Sequence, residues 1–188
     1  MPRDNPAGKT SVFWDVDDFP VPDGRKIRDI VEDTLRNKGY TGEVSITAYG
    51  AKDPFSPEET AEARLTFVER IDKYWRLHKM FVDIAWWTTE APRPCFTGSN
   101  VMVVAKNIKA DTEFVSFLRG LYFGLGFNVL LVVPDDCEPE QVPLPRVRLI
   151  WYWKSFVQGG EPLPRAELEA LVARGKDALF FVEPDEDD

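Results

Sequence analysis

Short continuous apolar runs alternate along this chain with segments whose apolar residues recur every three or four positions. The first run, Ser11-Val12-Phe13-Trp14-Asp15-Val16, ends in acids and reads as a buried strand. Pro20, Pro22 and Gly24 break the chain, and Ile27, Ile30, Val31, Thr34 and Leu35 then mark a helical face that Gly39 stops. A second strand is expected over 44–49. Ser56-Pro57-Glu58-Glu59 is a helix start, with Ser at the cap, Pro in the first position and Glu three residues after the cap. The stretch 58–90 has neither Gly nor Pro, yet it is too long for one helix of a compact domain. A break is therefore expected within 65–73, holding a short strand over 65–71, with a second helix over about 74–88 that Pro92 and Pro94 end. Strands follow over 101–105 and 128–133, separated by a helical face of Phe114, Phe117, Leu118, Leu121 and Tyr122. Continuous apolar strands alternating with helices predict an α/β fold with a parallel sheet covered on both faces.

Beyond Pro134 the pattern changes. An acidic, proline-containing connector over 138–145 leads to an aromatic segment over 147–157, which reads as a helix packed on the domain through Trp151, Trp153 and Phe156. Gly159-Gly160 ends it. A short amphipathic helix over 166–173, a last strand over 179–182 and an acidic tail follow. The expected division is a domain over 10–134 and an extension over 135–188. Trp86 and Trp87 read as core.

Composition narrows the function classes. With 188 residues, 44% hydrophobic and 13% aromatic, the chain can bury a sizeable core and is not disordered over most of its length. Its net charge of −9 argues against coating nucleic acid or anionic membrane through the overall field. Locating the charge weakens that argument. Asp135, Asp136, Glu138 and Glu140 form one acidic patch, and Glu183, Asp185, Glu186, Asp187 and Asp188 form another, so the remaining acids equal the 23 basic residues. Two cysteines, Cys95 and Cys137, and one histidine, His78, leave no disulfide framework and no set of Cys and His ligands for structural zinc. His78 reads as a surface residue. The polar, proline-containing start and the lack of an apolar run of membrane-spanning length predict a soluble, intracellular protein with no membrane contact.

Ligands of an open parallel sheet collect at the carboxyl ends of its strands. Asp15, Asp17 and Asp18 follow the first strand, Asp111 and Glu113 open the helix after the strand over 101–105, and Asp83 lies on the helix before it. Gathering carboxylates at one rim is unfavourable without a cation, and hard oxygen ligands select Mg²⁺ or Mn²⁺, which can activate water against a phosphodiester. The same acids also have plainer roles: Asp17 and Asp18 in a turn, Asp111 as a helix cap, Asp83 on a solvated face. Neither Gly-x-Gly-x-x-Gly nor Gly-x-x-x-x-Gly-Lys is present, which excludes the usual phosphate-cradling loops. Arg70, Lys73, Arg76 and Lys79, interleaved with Tyr74 and Trp75, and Lys106 with Lys109 beside Asp111, suit single-stranded RNA through phosphate contacts and stacking. A solvated helix face with its aromatics in the core is the alternative for the 70–79 stretch.

The opening Thr10-Ser11-Val12-Phe13-Trp14-Asp15-Val16-Asp17-Asp18, followed by Val21-Pro22, resembles the start of NYN domains, particularly the plant group related to the meiosis-regulator/limkain-b type. Four further segments match in order: Val44 to Gly50, Phe81-Val82-Asp83-Ile84-Ala85-Trp86, Asn128 to Val132, and Leu149 to Ser155 with Gly159-Gly160. The resemblance implies a PIN-like three-layer α/β/α sandwich, with a mainly parallel sheet of four or five strands and a C-terminal helical extension. It also implies a metal-dependent endoribonuclease acting on single-stranded RNA in the regulation of gene expression. In that reading Asp15, Asp111, Asp83 and Glu113 are catalytic, and Asp15, Asp17, Asp111 and Glu113 hold Mg²⁺ or Mn²⁺. Lys106 or Lys109 steadies the RNA backbone. A cytoplasmic location follows, with nuclear or peroxisomal association as variants, and the extension is a candidate surface for a protein partner.

Three departures from the family pattern stand out. Asp18 replaces an Asn, Ala110 replaces a Gly, and Leu77 stands where the family carries an acid. They support a second reading, a catalytically degenerate domain that binds RNA or protein. A third, a haloacid-dehalogenase-like phosphatase using Asp15-Val16-Asp17, lacks the Gly-Thr that normally follows.

Overall fold

The apolar runs line up as a six-stranded, wholly parallel sheet in a computed structural model, which describes residues 6–90, 98–108, 112–123, 125–137, 147–170 and 173. In chain order the elements are β1 (Thr10–Asp15), α1 (Ile27–Asn37), β2 (Val44–Gly50), α2 (Pro57–Ala63), β3 (Leu65–Glu69), α3 (Lys73–Glu90), β4 (Asn100–Val104), α4 (Thr112–Phe123), β5 (Asn128–Val133), β6 (Leu149–Tyr152) and α5 (Trp153–Val157). The spatial order is β3-β2-β1-β4-β5-β6. Strand order reverses between β1 and β4, which makes their carboxyl ends the topological switch point of the sheet.

The α/β expectation holds, with six strands in place of four or five. The break expected within 65–73 is present and opens sharply: Arg64 adopts φ 47° at the end of α2, and β3 starts at the next residue. At the other end of α2 the expected capping box is complete, with Ser56 Oγ accepting from Glu59 N and Glu59 Oε2 accepting from Ser56 N.

One strand, β6, corrects the expectation of a helix over 147–157. Residues 149–152 pair in parallel with β5, and the helix begins only at Trp153. The reason is alternation. Ile150 and Trp151 are both fully buried but join cores on opposite faces of the sheet, a period-two pattern that a helix packed by one stripe cannot satisfy. Trp151 and Phe156 are thus part of the domain's own interior.

The same alternation sorts the residues of β1. Val12 and Trp14 pack with Ile30, Val31 and Leu35 of α1 and with Phe156 of α5. Phe13 faces the other core, with Tyr49 of β2, Leu77, Met80 and Ile84 of α3, and Phe114 and Leu118 of α4. Asp15 is one period beyond Phe13 and therefore projects on the α3 side. That parity decides which groups it meets.

Among the described residues, no helix is long and apolar enough to cross a membrane. The last strand over 179–182, the acidic tail, Cys95 and the 138–145 connector lie outside the described residues. If β6 is integral to the sheet, Trp151→Ala lowers stability by about 3–5 kcal/mol in urea denaturation. A loss below about 1 kcal/mol would place 149–152 outside the cooperative core.

Candidate functional site

The turn after β1 is built by its own side chains. Asp15 Oδ1 accepts from the backbone N–H groups of Asp17 (3.1 Å) and Asp18 (3.3 Å), and its carbonyl accepts from Phe19 N at 3.1 Å. Trp14 Nε1 donates to Phe19 O at 2.8 Å and closes the turn from the opposite face. The three acids of the turn are thereby held at the switch point, beside the end of β4, where Lys106 N donates to Asp18 Oδ2 at 2.7 Å.

Two cations from the start of α3 enter this cluster. Asp15 is 0% exposed, and its Oδ2 receives Arg76 Nε at 2.9 Å and Lys73 Nζ at 3.0 Å. Lys73 also pairs with Asp18, and an Arg76 Nη lies 3.0 Å from Asp17 Oδ2. Ala51 N donates to the same Asp17 oxygen at 2.9 Å. Arg76 also donates to the carbonyls of Arg70 (3.2 Å) and Ile71 (2.7 Å), tying the β3–α3 turn to the cluster.

Three carboxylates thus meet two side-chain cations, and the backbone N–H groups of residues 17, 18, 51 and 106 face the residual negative charge. Burial disfavours the charged form of Arg76, but its hydrogen bond to Asp15 and the charges of Asp15, Asp17 and Asp18 outweigh this and raise its pKa above the ordinary value. A charge this deep is tolerable only when paired and hydrogen-bonded, and here it is both.

Asp83 belongs to a neighbouring arrangement. Tyr49, the register partner of Asp15 across β1–β2, donates its hydroxyl to Asp83 Oδ2 at 2.9 Å, and Lys79 pairs with the other oxygen one turn away on α3. Burial, then the Asp83 charge and hydrogen bond, push the Tyr49 phenol well above its usual range, so Tyr49 is a neutral donor. Glu113 is exposed in the first turn of α4. Asp111 and Lys109 lie outside the described residues.

The donor set around Asp15 does not suit a divalent cation. Both of its oxygens are engaged, and the positions beside Oδ2 are taken by an ammonium and a guanidinium. Among the described residues, no group of three or more His, Cys, Asp or Glu side chains is disposed to hold a metal ion.

Of the residues expected to touch RNA, Lys73, Arg76 and Lys79 are turned to internal ion pairs, while Arg70 is exposed. Lys106 Nζ lies 5.2 Å from the centre of the Phe19 ring. That ring borders an open groove of about 440 Å³ across the ends of β1, β4, β5 and β6, lined by Asp18, Lys106, Asp135, Asp136, Trp153 and Lys154. Trp153 and Lys154 are groove residues that the sequence pattern does not disclose. Strand pairing between β5 and β6 is what brings them to the rim, and a continuous helix over 147–157 would not. Trp86, expected in the core, is 67% exposed, whereas Trp87 packs against Phe127, ring centres 5.6 Å apart, as expected. His78 is exposed, as expected.

A scan against protein-family models gives no match for this chain, and a search of curated proteins gives none either.

If the cluster is an ion-pair lock, Asp15→Asn removes the buried partner of Arg76 Nε and Lys73, which keep only Asp17 and Asp18, and destabilises the fold by about 1–3 kcal/mol. In a carboxylate cluster built for a metal, the same change relieves repulsion and stabilises the metal-free protein. Urea denaturation without metal separates the two by the sign of the change.

Proposed function

We propose that the chain is an NYN-type, PIN-like domain in which metal-dependent phosphodiester hydrolysis has given way to binding, and that it serves RNA regulation as a catalytically silent module for single-stranded RNA. The observation that carries this reading is Asp15: fully buried, with Oδ2 held by Arg76 and Lys73 and Oδ1 by two backbone N–H groups. The order of motifs along the chain supports the family, and Leu77 at a family acid position supports the loss of chemistry.

The groove at the switch point is the natural place for RNA. Its volume of about 440 Å³ suits a ligand of nucleotide size. Lys106 and Lys154 offer two phosphate contacts. Trp153, with its ring centre 4.8 Å from Phe19 and edge-on to Trp14 at 5.6 Å, offers an anchored aromatic surface. Asp135 and Asp136 line the same groove, so long-range attraction for phosphate is weak and stacking carries most of the affinity.

Fluorescence anisotropy with a labelled single-stranded RNA tests the reading. Binding is expected to be indifferent to EDTA, with log K falling against log[salt] at a slope of about −1.4 for two phosphate contacts. Lys106→Glu with Lys154→Glu removes that dependence. Mn²⁺-dependent cleavage of the RNA by the unmodified protein would overturn the proposal and restore the endoribonuclease.

A further inference from the structure

The outward face of α3 and the turn before it carry an apolar stripe that neither the groove nor the acid cluster uses. Ile71, Trp75, His78, Val82 and Trp86 follow one another at spacings of four, three, four and four residues, and Tyr74 borders them. This is the seam spacing of a helix that packs against another helix. All are exposed, from 43% at Val82 to 80% at Ile71. The rings are ordered among themselves. His78 stacks on Tyr74 at 6.2 Å and meets Trp75 edge-on at 5.7 Å, and Trp86 is held by a bond from its Nε1 to Glu90 at 3.1 Å. A surface already fixed in this way loses little entropy on docking.

We infer that this stripe is the interface of a homodimer, in which α3 packs antiparallel against α3 of a second copy about a two-fold axis close to His78. The sequence is self-complementary about that point. With the axis between residues 78 and 79, Trp75 falls opposite the second copy's Val82, and Ile71 opposite the second copy's Trp86. Each bulky ring thus faces a branched aliphatic side chain, and each contact is made twice, as in an isologous interface between identical surfaces. The exposed parts of these side chains amount to roughly 600 Å² per copy, so complete burial of both stripes removes about 1,200 Å² from water, the lower bound for a specific, stable interface.

Charge argues against RNA as the occupant. Lys73, Arg76 and Lys79 of α3 are already paired with Asp15, Asp17, Asp18 and Asp83. Acids adjoin both tryptophans: Asp72 accepts from Trp75 N at 3.2 Å, and Glu90 accepts from Trp86. A phosphate backbone along this stripe would run beside carboxylates. A second copy brings its own apolar seam instead. The inference is independent of whether the Asp15 cluster is silent or catalytic.

Sedimentation equilibrium of the full chain from about 1 to 100 μM tests it. The unmodified protein is expected to approach twice the chain mass across this range, and Trp86→Asp, or separately Val82→Glu, to raise the dimer dissociation constant about 30-fold or more. Both positions are exposed, and circular dichroism checks that each variant is folded. A monomer throughout the range overturns the inference, as does a dimer that persists in both variants. Single-stranded RNA that binds monomeric protein and loses affinity on Trp86→Ala also overturns it, and assigns the stripe to RNA.

Discussion

The turn after β1, the start of α3 and the end of β4 are joined at the carboxyl rim of this sheet by one buried contact, the pairing of Asp15 with Arg76 and Lys73. Asp15 is the last residue of β1, and its oxygens bind the turn that follows, the start of α3 and, through Lys73 and Asp18, the end of β4. Arg76 extends the connection to the carbonyls of residues 70 and 71 in the β3–α3 turn. Segments distant in sequence are therefore registered on a single carboxylate. A buried pair of this kind adds little net stability over an apolar alternative, but losing one partner strands the other, so its role is to fix geometry.

The parity of the strand explains why the contact forms. One face of the sheet is covered by α1 and α5, the other by α3 and α4, and alternation along β1 sends Trp14 to the first and Asp15 to the second. Tyr49, next to Asp15 in register, follows the same rule and reaches Asp83 on α3. The inward side of α3 thus supplies cations and an acid to the rim, its apolar residues Leu77, Met80 and Ile84 pack the core, and its aromatic stripe faces outward. One helix carries three environments, which accounts for the weak separation of apolar from polar positions along it.

Much of the fold is legible in the sequence. The apolar runs locate β1, β2, β4 and β5, and Ser56-Pro57 with Glu59 locates the start of α2, because each signal is local. The segment over 147–157 is ambiguous because its aromatic residues fit either period, and pairing with β5 decides for a strand followed by a short helix. At the site, Asp15, Asp17 and Asp18 stand out as a group and Lys73 with Arg76 as a basic stretch. Nothing local says that the two meet, because Lys73 lies 58 residues and Arg76 61 residues from Asp15, and only the crossover of α3 brings them together. Taken separately, the acids point to a metal and the bases to RNA, when in large part they satisfy one another.

With Arg76 and Lys73 holding Asp15 Oδ2, a metal has no open position there, and a titration of Mn²⁺ followed by the electron paramagnetic resonance of the free ion reports on this. No site with a dissociation constant below about 1 mM is expected in the folded protein. A single site in the micromolar range that disappears in Asp15→Asn would mean that Asp15 holds a metal in preference to Arg76 and Lys73.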